Sequence, residues 1–461
     1  MSLPAWIVRR LTYPAHEWLR GRPTLTELRS LQHLGQMTPE GVQRIVGKRL
    51  RDLLTFAATR LPFYAQQMVD RQLNVNGRDP QAELRKLPVL QKADVRENAD
   101  RLTCRGVRGG ALPHSSGGTT GDTLRFLIDR RRQAQDLAAR LFMQGLFGVR
   151  LGERRLHLWG SPIESRGSWY RRRRDWALNE RLLNAFELSP AQLDRHLGEI
   201  RRFRPSVVYG YPTALALLAQ HASGTTRPED FAWLRLVVLT GEEVTDSQID
   251  VVRSVFGCPV AVEYGSREVG LIAHTCPRGG LHVLWPHIHV EIAASGRTVP
   301  EDHCGEVLCT TLNTRAQPFI RYRLGDIGRR VTEPCPCGLP FPLMRLEGGK
   351  VTGFIALPDG RLCHGAITSH VLRDLHGIVA YKTYQHALDA FEVLLVVDDG
   401  FAPDAVDRVR HRYRSLFGLR TQVDCRVVDD IPPDPSGKRR YVVSDVAPDS
   451  SEFELVTLPN T

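Results

Sequence analysis

Four short apolar runs, each stopped by a glycine or a polar turn, constrain this chain more than any other feature: LHLWG at 156–160, SVVYG at 206–210, RLVVLTGEE at 235–243 and VAVEYG at 260–265. Amphipathic stretches of helical length lie between them. That alternation predicts βαβ units and a mostly parallel sheet, hence an α/β fold. Ligands of such sheets gather at the carboxyl ends of the strands, so the turns that close these runs are where a site is expected.

The flanking regions read differently. Residues 1 to about 100 are mainly helical by pattern, with Leu50, Leu53, Leu54, Ala57 and Leu61 at helical spacing before the breaker Pro62. After Arg345, an Asp-Gly turn at 357–362, the strand-like FEVLLVV, a helical stretch at 403–417 and the strand-like CRVV suggest a small α+β domain. Gly348 and Gly349 form a plausible hinge before it. The expected division is therefore 1–347 and 348–461.

At 461 residues the chain exceeds what one core fills, which agrees with two domains. Hydrophobic residues at 42% and charged residues at 25% exclude a disordered chain, and no apolar run has the length of a membrane span. Arg9 and Arg10 interrupt the apolar start before it resembles a secretory leader, so a cytoplasmic location is expected. A net charge of +11 favours polyanions as a class and selects none; nucleic acid is not among the expected partners. The run Arg171 to Arg174 reads as a solvated loop. Nine cysteines, an odd number without dense even spacing, point to reduced thiols.

The sharpest local feature is HSSGGTTGD at 114–122, followed by the extended TLRFLI. Glycines turn backbone N–H groups toward an anion and hydroxyls add donors, which suits a triphosphate. The Gly-Lys-Ser/Thr and following helix of a Walker loop are absent. TGEEV at 240–244 and EYGSREVG at 263–270 each close an apolar run, and Glu268 there is a candidate Mg²⁺ ligand. In PFIRYRLGD, Asp326 ends a strand-like run and can accept from ribose hydroxyls; a surface ion pair is the alternative. In DPSGKRR a Pro-Ser-Gly turn presents Lys438. Cys276 and His282, with the later pair Cys335 and Cys337, make four soft ligands suited to a closed tetrahedral Zn²⁺ site. Trp159, Tyr209 and Tyr211 are candidates for a pocket wall, with core packing as the alternative.

The ordered set SSGGTTG, TGEE, EYGSRE, RYRLGD, LEGGK and SGK resembles the adenylate-forming superfamily of acyl-CoA synthetases and related ligases. LWGS, YGYP, YGSRE and CPCG bring it nearest to the phenylacetate-CoA ligase branch, which includes CapK-like proteins. The resemblance spans roughly residues 45 to 445. It implies a large adenylate-forming domain of mixed sheets and helices with a small mobile C-terminal domain that carries the catalytic lysine. It further implies that Ser116, Gly117, Gly118, Thr119, Thr120 and Gly121 hold the β and γ phosphates of ATP. Thr240, Gly241, Glu242 and Glu243 would lie beside the adenine, Tyr264 and Gly265 would continue that pocket, and Asp326 would hold the ribose. Glu268 would bind Mg²⁺ and Lys438 would act in adenylation. The implied reaction is attack of a small carboxylic acid on the α-phosphate, with pyrophosphate released. Such relatives also often place Zn²⁺ ligands where the four soft ligands stand.

Two departures bear on the second half-reaction. Lys350 stands where relatives carry an arginine, and Gly353 occupies the hinge position. The phosphate loop also ends in Gly-Asp-Thr, without the usual lysine or proline. Transfer of the acyl group to CoA is the first expectation. Transfer to a hydroxyl or amine in polysaccharide or secondary-metabolite synthesis is the second, and a non-catalytic basic binding protein the third. A homodimer is compatible with all three.

Overall fold

The computed structural model describes residues 2–115, 124–159, 169–185, 190–301, 303–348, 354–356, 362–364, 368, 372, 375, 377–398, 400–402, 404–432 and 442–446. These group into two compact units, one of residues 1–291, 308–323 and 331–344, the other of 292–307, 324–330 and 345–461.

In the first unit every regular element before Ala111, among the described residues, is helical. The helix Pro39–Arg60 shows why: Thr38 caps it by accepting from the Gly41 N–H at 3.2 Å, and Pro39 fits the first turn. Its buried stripe of Val42, Val46, Leu50, Leu53, Leu54 and Ala57 faces inward, and Pro62 opens the next helix.

Strands β1 (Ala111–Ser115) and β2 (Arg125–Asp129) then form an antiparallel ladder in register from Ala111↔Asp129 to Ser115↔Arg125. The four apolar runs become β3 (Arg155–Trp159), β5 (Val207–Gly210), β6 (Leu236–Thr240) and β7 (Val260–Ser266), with β4 (Glu180–Asn184) beside β3. The order β4-β3-β5-β6-β7 is parallel throughout. Alternate residues explain the apolar runs. Leu156, Leu158, Val208, Val237 and Leu239 pack with the helices Pro190–Phe203, Pro212–Ala222 and Asp246–Phe256, while Val207, Leu236, Val238 and Ala261 pack in a second cluster with Val149. A strand buried on both faces has no polar face to alternate with.

Beyond β7 the sheet reverses. β8 (Gly270–Thr275) and β9 (Leu281–Val283) add antiparallel, so the sheet is mixed rather than mostly parallel.

The second unit contains the end of β10 (Ile288–Ala294), which forms a hairpin with β11 (Arg297–Thr298), and parts of β12 (Gly305–Thr311), β13 (Tyr322–Val331) and β14 (Leu343–Gly348). The strands flanking 357–361, β15 (Phe354–Ala356) and β16 (Leu362–His364), pair antiparallel. Next comes a sheet of β17 (Ile378–Ala387), β18 (Ala390–Val397), β19 (Gln422–Val427) and β20 (Val442–Ser444), in the order β19-β18-β17-β20. The helix Ala405–Phe417 packs Val409, Tyr413 and Phe417 into the core with Phe391 and Val423. Buried Gln385 of β17 ties β15 down, accepting from the Ala356 N–H at 3.0 Å and donating to its carbonyl at 2.7 Å. No helix among the described residues is long and apolar enough to cross a membrane.

The Gln385 clasp is testable. Replacing Gln385 by Leu removes both partners of Ala356, and each unmet buried backbone group costs about 1–3 kcal/mol. Amide exchange at Ala356 should accelerate by at least tenfold while that of Val393 stays within a factor of about three.

Candidate functional site

Two of the motifs meet at the carboxyl ends of β6 and β7, where Thr240 pairs with Glu263 in the parallel register. Thr240 is buried, and Gly241 follows at φ +84°, a conformation that only glycine adopts freely. A Cβ there would lie 3.0 Å from the Trp159 ring and 3.1 Å from the Tyr211 ring. Those two rings stack, with centroids 4.0 Å apart and planes 17° from parallel. The Glu242 carboxylate accepts from both the N–H (3.1 Å) and the hydroxyl (2.7 Å) of Thr213, and so caps the helix Pro212–Ala222. Glu243, next to it, is exposed.

Glu263 is buried and accepts a fork of hydrogen bonds from Arg140, each 3.0 Å, and one from the Tyr209 hydroxyl at 2.6 Å. Burial would raise the Glu263 pKa, but the Arg140 charge and its hydrogen bonds outweigh it and hold the carboxyl below its ordinary range. Burial pushes the Tyr209 hydroxyl well up. It also pulls the neighbouring His157 down to about 4, with Arg155 and Arg140 adding to the effect, and lowers His274. Tyr209 is therefore part of a buried polar network rather than a free wall.

Tyr264 and Gly265 follow in β7, and a Cβ on Gly265 would sit 2.5 Å from the Gly270 carbonyl. Between β7 and β8 the chain turns over 267–269, with the Val269 N–H donating to Ser266 Oγ at 3.2 Å. Glu268 lies in that turn, half-buried. Its carbonyl accepts from Arg132 at 2.8 Å, that of Arg267 accepts from the same guanidinium at 3.2 Å, and Arg132 is steadied by Asp136 at 3.1 Å. Asp136 in turn accepts from the Leu271 N–H at 3.0 Å.

Arg132, Asp136 and Arg140 are one stripe, four residues apart on the helix Arg130–Leu146, and they grip the EYGSRE segment along its length. None of the three was singled out from the sequence. The signal available was an Arg-x₃-Asp-x₃-Arg spacing on a helix whose other positions include buried Ala134, Ala138 and Ala139.

Arg267 donates to the Ser115 carbonyl at 3.4 Å. Ser115 ends β1, so the residue that leads into the glycine-rich run lies against the turn that carries Glu268. Ser116, Gly117, Gly118, Thr119, Thr120 and Gly121 themselves lie outside the described residues, as do Lys350, Gly353 and Lys438.

Asp326 does not end its strand. β13 continues through it to Val331, and the break in apolar character comes from Gly325 at φ +81°. Asp326 is half-buried and belongs to the second unit. The neighbouring Arg321 is no surface ion: it is buried, pairs with Glu291 at 3.1 Å, and donates to the carbonyls of Leu87 (2.5 Å) and Arg85 (3.3 Å).

Cys276, His282, Cys335 and Cys337 come together, with all four ligand atoms within 4.8 Å of one another. Two glycine turns position them, one closed by Gly279 N–H on the Cys276 carbonyl (2.9 Å), the other by Gly338 N–H on the Cys335 carbonyl (3.1 Å). Cys276 Sγ lies 3.5 Å from Cys335 Sγ, and Cys337 Sγ lies 3.2 Å from His282 Nε2. The His282 Nδ1–H donates to the Phe341 carbonyl at 2.8 Å, which leaves Nε2 as the free lone pair of the neutral ring.

Residues 184–314 match the family model described as AMP-binding enzyme, and residues 355–445 match the CapK C-terminal domain. The chain is 20% identical over 409 residues to Protein CapK of Staphylococcus aureus, covering 87% of this chain and 88% of that protein. It is 25% identical over 413 residues to phenylacetate-coenzyme A ligase of Thermus thermophilus, covering 85% and 91%. Among solved structures, it matches 2-hydroxyisobutyryl-CoA ligase in the postadenylation state at a TM-score of 0.69 and 19% identity, over 89% of this chain and 91% of that one.

The Glu263 pair carries a pH prediction. Glu263 has a depressed folded pKa, so its contribution is full above the ordinary carboxyl value of 4.5 and is lost as pH falls through the folded value. Glu263→Gln should therefore destabilise the first unit at pH 7 by about 2–3 kcal/mol, less than for a fully buried pair because Arg140 keeps partial access to water. Thermal unfolding followed from pH 7 to pH 3 should show the gap between the two proteins closing as the pH drops below 4.5.

Proposed function

The chain belongs to the adenylate-forming superfamily, in its phenylacetate-CoA ligase and CapK-like branch, and on that premise we propose that it activates a carboxylic acid as its acyl-adenylate and passes the acyl group to CoA. The observation that carries the reading is the contact of Arg267 with the Ser115 carbonyl. It joins the entrance of a run suited to phosphates to a turn that offers a carboxylate, beside the strand ends of β6 and β7.

In this reading residues 116–121 donate to the β and γ phosphates. Thr240, Gly241, Glu242 and Glu243 flank the adenine. Since the Glu242 carboxylate is engaged by Thr213, that segment meets the base chiefly through its backbone. Tyr264 and Gly265 extend the pocket, and Asp326 accepts from the ribose hydroxyls. Among the described residues no side chain is hydrogen-bonded to the Glu268 carboxylate, and Arg132 fixes the backbone on which it stands, as a Mg²⁺ ligand requires. Mg²⁺, when bound, neutralises phosphate charge. Lys438 then stabilises the charge that develops as the substrate carboxylate attacks the α-phosphorus and pyrophosphate leaves. We place the functional division at 347/348, which keeps the whole CapK-like segment, 355–445, with Lys438.

The cysteine and histidine cluster suits a structural Zn²⁺. A tetrahedral ion with Zn–S bonds of about 2.3 Å separates its sulfurs by about 3.8 Å, and Cys276 and Cys335 stand at 3.5 Å. The hydrogen bond from His282 to Phe341 supplies the outer support that orients a ligating imidazole.

The CapK-like C-terminal segment favours a second reading, in which a hydroxyl or amine takes the acyl group instead of CoA. Pyrophosphate release across a panel of carboxylic acids, with and without CoA, separates the two. Acid-dependent turnover that rises with CoA and yields a thioester supports the first, and turnover indifferent to CoA supports the second. Lys438→Ala should lower acyl-adenylate formation by about 10²–10³ while leaving thioester formation from supplied acyl-adenylate within a few fold. Elemental analysis should find one zinc per chain, and Cys335→Ser should lose it.

A further inference from the structure

Four of the chain's seven tryptophans are more than half exposed: Trp6 (56%), Trp18 (80%), Trp169 (68%) and Trp176 (53%). Tryptophan ordinarily buries most of its surface, so four rings left in water ask for a covering partner. All four lie on two neighbouring helical segments of the first unit. One runs from Ala5 to Leu19 and the other is the helix Trp169–Ala177.

These segments are fastened side by side. The Leu3 N–H donates to Asn179 Oδ1 at 2.9 Å, Asn179 Nδ2 donates back to the Leu3 carbonyl at 2.8 Å, and the Thr12 hydroxyl donates to the Ala177 carbonyl at 2.5 Å. Val8 and Tyr13 of the first segment pack with Leu178, just after the second. With those residues buried, Trp6, Leu11, Trp18 and Leu19 remain outside, and Tyr170 joins the exposed rings of the second segment.

The charge on this surface is predominantly positive. The first segment carries exposed Arg9 and Arg10, with exposed Arg20 just after it, and its one acid, Glu17, is buried and bonded to Arg22 and Thr24. The second carries four consecutive arginines against Asp175, which pairs with Arg174. A cavity of about 830 Å³ opens beside the second segment, where Arg171, Arg172, Arg181 and Arg202 line it together with Asp175 and Glu180. Glu199 is shared by Arg181 and Arg202, so guanidinium groups outnumber carboxylates around it.

Exposed indole and phenol rings interleaved with arginine match the headgroup layer of a bilayer, where rings sit among glycerol groups and guanidinium meets phosphate. Arginines near an anionic leaflet add an electrostatic attraction to the burial of the rings. We infer that this surface docks the protein on an anionic phospholipid bilayer, with the rings in the interface and the exposed arginines against lipid phosphates. The inference is independent of the adenylation reading.

Co-sedimentation of the full chain with vesicles tests it, using phosphatidylcholine alone and phosphatidylcholine with about 30% phosphatidylglycerol. The anionic vesicles should bind the protein at least tenfold more strongly, with a blue shift of tryptophan emission. Raising salt from about 0.1 to 0.5 M should weaken that binding several-fold. Arg172→Glu/Arg173→Glu, at exposed helix positions, should lower partitioning by tenfold or more, and Trp18→Ala/Trp169→Ala should lower it and remove most of the emission shift. Unchanged thermal unfolding of both variants keeps the comparison sound; if one pair unfolds early, the other pair decides. Equal binding to both vesicle types, no binding to the anionic ones, or variants that bind like the parent would overturn the inference.

Discussion

The site rests on one helix reaching across to one strand end. Arg132, Asp136 and Arg140 hold the segment 263–271 by a carboxylate, two carbonyls and an N–H, so its geometry is set from outside the sheet. The Arg140–Glu263 pair is the costliest part to disturb, because Glu263 is buried and removing either partner strands the other's charge. Its forked geometry also fixes direction: a planar guanidinium on a planar carboxylate permits little rotation of β7. The Tyr209 hydroxyl shares that carboxylate and ties β5 into the same arrangement.

Glycines make the rest possible by letting backbone come close. A side chain at Gly270, which has φ +88°, would meet Asp136 at 2.3 Å and Arg132 at 2.6 Å, so the grip on the turn requires glycine there. At Gly241 the stacked Trp159 and Tyr211 rings come so near that a Cβ would meet both. The result is a backbone ledge, walled by aromatics and steadied by buried charge, beside the residue that leads into the glycine-rich run. Such preorganised dipoles are what a reaction that gathers negative charge needs, since they do not have to reorient as the charge develops.

Much of this was legible in the sequence, for physical reasons that differ by element. The parallel strands were visible because burial on both faces makes each a continuous apolar run, and the C-terminal strands because FEVLLVV and CRVV are apolar runs; the Asp-Gly pair at 359–360 lies outside the described residues. The reversal after β7 was not, since LIAHT is as apolar as its neighbours and direction leaves no mark on composition. The motif residues were singled out because glycine, threonine and acid together are unusual. Their supports were missed because arginine and aspartate on a helix look like an ordinary solvated face until something packs on them. Arg321, five residues before Asp326, is the same lesson: an arginine in an ordinary strand-like run is a buried clamp on Glu291 and two carbonyls. The run Arg171 to Arg174 read as a solvated loop and is a helix flanked by exposed tryptophans.

The central claim is that remote stretches of the chain form one nucleotide site whose shape depends on the helix Arg130–Leu146. Calorimetric titration of Mg·ATP into the intact protein and into Arg132→Leu tests it most directly, because Arg132 grips backbone and is assigned no contact with nucleotide. The account predicts saturable binding of one nucleotide per chain, weakened at least tenfold in a variant that remains folded. No heat of binding in the parent protein, or equal affinity in the two, would contradict it.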